Sequence, residues 1–291
     1  FGGDLDHVHF DRVAAARVVA PREGPQEWVD RTLAAHRPLL DTVRRRFDLL
    51  RAQRVRLRRR LDGDEVGLVA YVEAYADFRA GMPLPQALYQ DWRRVRRDMA
   101  IMLLIDISGS TDSWIAADKR VIDVQREALL LVCVALRGAG EPYAVLGFSG
   151  EGPQGVMVRT VKSFEEAYGA GVARRIAALE PEHYTRTGAA LRHASAALMR
   201  QAGRHRLLLL LSGGKPNDID DYEGRYGVED MRQAVVEARL QGIHPFCLTI
   251  DRQAASYLPA VFGARHYALL PRPQALPAAL LEWMKRLVAS S

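Results

Sequence analysis

The sequence predicts an α/β fold: a doubly wound, mostly parallel sheet flanked by helices, preceded by a helical segment. Three observations predict it. From Met99 onward, short leucine-rich or β-branched runs alternate with amphipathic stretches of helical length, the pattern of βαβ units. One of those runs, 207–211, is wholly apolar, as a strand covered on both faces must be. Between Pro25 and Arg97 apolar residues recur instead at three and four, the helical period.

A chain of 291 residues makes one large domain or two modest ones. The expected boundary separates a mainly helical segment, 1–97, from an α/β domain, 98–291. A first helix starts near Pro25 and Glu27 and carries Trp28, Leu33, Leu39, Leu40, Val43, Phe47 and Leu50 to a break at Asp62-Gly63-Asp64. A second, with Val66, Val69, Val72, Ala76 and Phe78, ends at Gly81-Met82-Pro83, and a third runs from about Pro85 to Arg94. His7 and His9 read as part of a short extended stretch, because no third metal ligand stands nearby. In the α/β part, strands are expected at 100–105, 143–148, 156–161, 206–211, 243–250 and 266–269. Helices are expected at 119–138, 164–179, 188–201, 228–241, 253–260 and 274–288. The Gly-rich turn at 149–153 makes 143–148 and 156–161 an antiparallel hairpin.

Hydrophobic residues make up 48% and charged residues 26%, which excludes a disordered tail, a collagen-like repeat and a disulfide scaffold. The longest apolar run, 128–136, falls far short of the ~20 residues that span a bilayer. Cys133 and Cys247 lie in apolar runs and are expected as buried thiols of a reducing compartment, with a cytoplasmic location. The net charge of +6 is concentrated early: residues 1–97 hold 19 Arg against 14 Asp and Glu, with nine Arg in 44–60. No aromatic stacking platform, helix-turn-helix or zinc-finger spacing accompanies that run. It is therefore read as a solvated helix face and not as a nucleic-acid surface; an acidic protein partner fits it equally well.

Ligands of open α/β sheets bind beyond the carboxyl ends of the parallel strands. The first such strand ends in Ile105-Asp106-Ile107-Ser108-Gly109-Ser110-Thr111. An Asp leaving a buried strand, with two hydroxyls at two-residue spacing, gathers oxygen ligands of the kind hard divalent cations take. The plainer alternative is an Asp or Ser capping the next helix. A second loop, Tyr184-Thr185-Arg186-Thr187-Gly188, precedes a helix and offers a further hydroxyl at Thr185.

The Asp-x-Ser-x-Ser run at 106–110 and the Thr-x-Thr-Gly-x-Ala-Leu run at 185–191 resemble the metal-ion-dependent adhesion site of the von Willebrand factor A (VWA) fold. The resemblance implies Mg²⁺ or Mn²⁺ held by Asp106, Ser108, Ser110 and Thr185, with Thr187 supporting the turn. In that family a third loop adds an Asp; here Ser212-Gly213-Gly214-Lys215-Pro216 puts Gly213 in its place. Weak cation affinity follows, with Asp218 and Asp220 the carboxylates that can reach in.

Four stretches extend the likeness: Gly-Lys-Pro-Asn-Asp and its continuation over 214–230, Arg97-Asp98, the Gly-Ala-Ala-Leu-Arg-His-Ala run at 188–194, and Tyr257-Leu258-Pro259 with Phe262-Gly263. They resemble the C-terminal half of the NorD family, over about 60–291. The resemblance implies a non-enzymatic adaptor. With a MoxR-class AAA+ ATPase it would bind and activate a client, nitric oxide reductase, in maturation or metal insertion, the client offering an acidic residue to the cation. The related CbbO family, which acts on Rubisco, is the alternative. Family members are longer, and a chain opening on Phe1 reads as a piece of such a protein. The mixed-charge loop 215–229 is expected to contact the partner through Lys215, Tyr222, Glu223 and Arg225, with Trp114 beside the metal face. A metal-dependent hydrolase is the other class considered. It wants a second carboxylate beside Asp106, and Gly213 removes the nearest candidate. Gly213-Gly214-Lys215-Pro216 lacks the hydroxyl of a phosphate loop, and Glu151 stands where a nucleophile elbow around Ser149 needs Gly.

Overall fold

A computed structural model describes residues 16–42, 45, 54–60, 65–66, 68–83, 87, 89–94, 99–116, 119–219, 222, 224–249, 252–270, 275, 279 and 282. The chain forms two units, 1–44 with 98–291, and 45–97. The sequence expectation put 1–97 in one segment; here the described residues 16–42 group with the α/β unit.

In that larger unit, β1 (Arg17–Val19) and α1 (Gln26–Ala35) come first. After residue 98 follow β5 (Met99–Asp106), a hairpin of β6 (Trp114–Ala116) and β7 (Lys119–Arg120), α3 (Val121–Ala139), β8 (Tyr143–Gly150), β9 (Val156–Lys162) and α4 (Ala170–Ala177). Then come α5 (Thr187–Met199), β10 (His205–Ser212), α6 (Gly224–Leu240), β11 (Ile243–Thr249), α7 (Leu258–Phe262) and β12 (Tyr267–Leu269). Seven strands make one sheet in the order β1-β9-β8-β5-β10-β11-β12. Every pairing is parallel except β8 with β9, which is the expected hairpin.

The centre of the sheet explains its sequence. β5 is buried along its whole length, paired with β8 on one side and β10 on the other. Ala100, Met102 and Leu104 join a core with Ala190, Leu191, Ala194 and Leu198 of α5 and Met231, Ala234 and Val235 of α6. Their neighbours Ile101, Leu103 and Ile105 point to the opposite face and are equally buried. Each such side chain contributes roughly 1.5–3 kcal/mol by leaving water, so a polar residue inside β5 needs a compensating reason. α3 starts with a capping box between Arg120 and Asp123 and stops at Gly140, whose φ of 75° ends the helix. Cys133 and Cys247 are free and buried, and burial pushes the Cys133 thiol up to about 12. Among the described residues no helix is long and apolar enough to cross a membrane.

Because the chain leaves β5 towards β8 and later returns to its other flank with β10, the strand order reverses at β5. That reversal opens a crevice at the carboxyl ends of β5 and β10.

The smaller unit departs from the sequence expectation. It holds β2 (Arg54–Arg60), β3 (Glu65–Val66), α2 (Leu68–Arg79) and β4 (Tyr89–Arg94). The strands form an antiparallel sheet in the order β2-β4-β3. The stretches 54–60 and 89–94, expected as helix, are strands. Val55 and Leu57 alternate with Arg at the strand period of two, and the apolar recurrence upstream at Phe47 and Leu50 does not continue through them. In β4, Tyr89 and Trp92 favour the extended state. The α2 helix lies where the second helix was expected, except that Val66 belongs to β3. Its Leu68, Tyr71, Val72, Tyr75 and Phe78 form an exposed stripe, on which Tyr71 and Tyr75 stack at 6.3 Å between ring centroids. His7, His9 and nearly all of the helix expected at 274–288 lie outside the described residues.

Candidate metal centre

Asp106 is the last residue of β5 and is fully buried. The backbone N–H of Ser108 donates to its Oδ1 at 2.9 Å and that of Gly213 to its Oδ2 at 3.3 Å. Beyond it the chain makes a tight 3-10 turn over Gly109–Asp112, pinned by the Thr111 hydroxyl donating to the Ser108 carbonyl at 2.6 Å. This turn brings the Ser108 and Ser110 hydroxyls within 3.0 Å of each other. Ser108 is buried, whereas Ser110 faces solvent.

The second loop is laced onto the first by its backbone. Glu182 N–H donates to the Ile107 carbonyl and Gly109 N–H to the His183 carbonyl, both at 2.7 Å. Thr185 is buried and exchanges two backbone hydrogen bonds with Asn217, at 2.7 and 3.2 Å. The third loop closes the group. Ser212 donates its hydroxyl to the Gly214 carbonyl at 2.8 Å, and a Cβ at Gly214 would stand only 3.5 Å from Ser110 Oγ. The structure thus brings the three loops together beside Asp106.

Burial pushes the Asp106 carboxyl above its usual range, and hydrogen bonds from Ser108 and Gly213 only partly offset this. Among the described residues no Lys, Arg or His forms an ion pair with it. An uncompensated buried carboxylate is costly. Hydroxyl oxygens at Ser108 and Ser110 beside it supply the hard donors that Mg²⁺ or Mn²⁺ takes. The residues present therefore fit a divalent cation: Asp106 would supply the charge, and Ser108, Ser110 and Thr185 the neutral oxygens.

Several expected roles are corrected. Asp218 is not free to reach a cation. It is buried, paired with Arg186, and accepts N–H groups from Gly152 at 2.9 Å and Ile219 at 2.7 Å. Tyr222, expected at a partner surface, is 1% exposed. Its hydroxyl donates to Asp230 and accepts the Gly188 N–H at 3.3 Å, while Arg186 lies 4.4 Å above its ring. Burial first, then Asp230, drives the Tyr222 hydroxyl far above its usual range. Thr187 begins α5 and is buried. Trp114 (67% exposed), Lys215 and Arg225 do face solvent. Asp220 and Glu223 lie outside the described residues.

What the sequence reading missed is the support beneath the loops. Arg186, between the two threonines, ties the second loop to the third through Asp218. Asp230 joins Tyr222 to Arg192, which also holds Glu237, both at 2.7 Å. The motif glycine carried the signal. A Cβ at Gly188 would stand 2.5 Å from Asp230 Cγ, so only Gly lets α5 approach that carboxylate. Ser149 is buried and donates to Glu182 at 3.2 Å, with Arg159 bonded to the same carboxylate.

No family model matches the chain. The fold is that of a VWA-type domain. The PilB minor pilin of Streptococcus sanguinis, in its D319A mutant, superposes with a TM-score of 0.52, at 15% identity over 67% of this chain and 62% of that one. Sequence relatives carry the assignment further. An uncharacterised protein of Pseudomonas aeruginosa is 49% identical over 245 residues, 84% of this chain and 40% of that one. The NorD protein of Stutzerimonas stutzeri is 46% identical over 237 residues, 81% of this chain and 39% of that one. The chain is a VWA-type relative of the NorD proteins, and it spans about 40% of the length of the relatives it matches.

Proposed function

We propose that the chain is the cation-bearing recognition module of a NorD-type adaptor. In this reading Asp106, Ser108, Ser110 and Thr185 hold Mg²⁺ or Mn²⁺ at the crevice, and a client protein completes the site with an acidic side chain. When bound, the cation supplies positive charge at an open position facing solvent. Asp106 anchors the site electrostatically, Ser108 and Ser110 orient it, and the Thr185–Asn217 backbone bonds hold the second loop in register. The adaptor is non-enzymatic and works beside a MoxR-class AAA+ ATPase on nitric oxide reductase, the pairing that the NorD likeness suggests. Its place is the cytoplasm, where such an ATPase finds its nucleotide.

The observation that carries the reading is a fully buried carboxylate without a cationic partner among the described residues, set against two hydroxyls 3.0 Å apart. The exposed Trp114, Lys215 and Arg225 are the side chains offered to the partner. The test is a pull-down of the ATPase and of the reductase by the parent and by Asp106→Ala, with Mg²⁺ and with chelator. Capture that needs both Mg²⁺ and Asp106 supports the reading. Equal capture in all four arms refutes it.

A further inference from the structure

A polar side chain behind the third loop has no evident partner. Gln125, in α3, is 2% exposed, and neither its Nε2 nor its Oε1 has a hydrogen-bond partner among the described residues. An amide in that state is destabilising, because it has given up water without gaining a partner. Native cores hold few such groups without a water or an ion to satisfy them.

Its neighbour is Gly213. A Cβ at that position would stand 3.7 Å from Gln125 Nε2, 3.6 Å from Val121 Cγ1 and 2.5 Å from Thr111 Cγ2. The N–H of Gly213, meanwhile, donates to Asp106 Oδ2 at 3.3 Å. One glycine therefore separates the unpartnered amide from the buried carboxylate. An acidic side chain at 213 would grow towards that amide, and the Thr111 methyl leaves it no room.

We infer that Gln125 is a positioning residue of the cation site: its amide lies behind Gly213 and supports, through water, a cation held at Asp106. The inference rests on the cation reading given above. An amide offers an acceptor, Oε1, and a donor, Nε2, without adding charge. A site so built keeps a single carboxylate against a doubly charged ion. It binds the ion weakly alone and more firmly once a partner's carboxylate arrives, which makes cation uptake and partner docking mutually dependent.

The whole chain and two variants, Gln125→Leu and Gln125→Glu, would be titrated with Mn²⁺ alone, reading calorimetric affinity and the cation-induced rise in melting temperature. Gln125→Leu removes an unsatisfied amide and should be at least as stable as the parent without cation. It should bind Mn²⁺ about 10–100-fold more weakly. Gln125→Glu should bind about tenfold more tightly. If both variants match the parent in affinity, Gln125 is a packing residue and the inference falls while the cation reading stands. If Gln125→Leu does not fold, the Glu variant decides alone, and affinity at or below that of the parent overturns the inference. A parent that takes up no Mn²⁺ brings down the cation reading itself.

Discussion

Restoring a carboxylate at position 213 is a steric problem before it is an electrostatic one. Gly213 does not have a positive φ, so its backbone admits a side chain. The obstacle is Thr111, whose Cγ2 lies 2.5 Å from the Cβ that Gly213→Asp would add. Thr111 cannot swing away freely, because its hydroxyl is donated to the Ser108 carbonyl at 2.6 Å. Overpacking of this kind costs about 1–3 kcal/mol, and a second negative charge beside Asp106 adds to the cost when no cation is present. Thr111→Ser deletes the obstructing methyl and keeps the hydroxyl. Chemical denaturation of the parent, both single variants and the pair should therefore show Gly213→Asp destabilised by about 1–3 kcal/mol. Thr111→Ser in the Gly213→Asp background should recover at least ~0.5 kcal/mol as coupling. Only the pair should gain Mn²⁺ affinity without loss of fold. Gly213→Asp alone at parental stability, or no recovery in the pair, would show that the third loop does not sit against Thr111 as described.

Gly188→Ala should cost about 2–5 kcal/mol in a denaturant melt, since it overpacks against Asp230 and loosens the buried Tyr222–Asp230 hydrogen bond; a loss under ~0.5 kcal/mol would contradict the close approach. Tyr222→Ala should lower the melting temperature by several degrees, as loss of a buried aromatic costs about 3–5 kcal/mol, whereas Arg225→Ala and Trp114→Ala should leave the melt unchanged. The Glu166 carboxyl is held below its usual range chiefly by its hydrogen bond with Arg175. Its contribution is therefore present above pH ~4.5 and lost as pH falls through the lower folded value, and Arg175→Gln should flatten that acid limb in a pH series of melts.

The α/β unit was legible because each central strand announces itself twice, by apolar content and by position between helical stretches. Asp106 stood out for the same reason: a carboxylate ending an otherwise apolar run needs an explanation. The errors came where local pattern competes with pairing. The 54–60 stretch carries so many arginines that the two-residue alternation of Val55 and Leu57 is easily passed over, and the antiparallel partner at Tyr89–Arg94, distant in sequence, decides for strand. Tyr222 read as a partner contact and Asp218 as a carboxylate able to reach a cation because the surrounding loop is dense in charge. The burial of Arg186, which pairs with one and covers the other, turns both inward. Such a network depends on three loops meeting, and its only trace in the sequence is the glycine at 188. Gln125 left no trace at all, since a single Gln in an amphipathic helix reads as its solvated face.

The account turns on Asp106 as a cation anchor. Calorimetric titration of Mn²⁺ into the parent chain and into Asp106→Asn tests this most directly, because Asn keeps the shape and removes the charge, giving up only one of the two backbone N–H groups, of Ser108 and Gly213, that the carboxylate accepts. The account predicts one Mn²⁺ site in the parent and none in Asp106→Asn, with both proteins giving a cooperative cation-free melt. Equal Mn²⁺ binding by both folded proteins would contradict it.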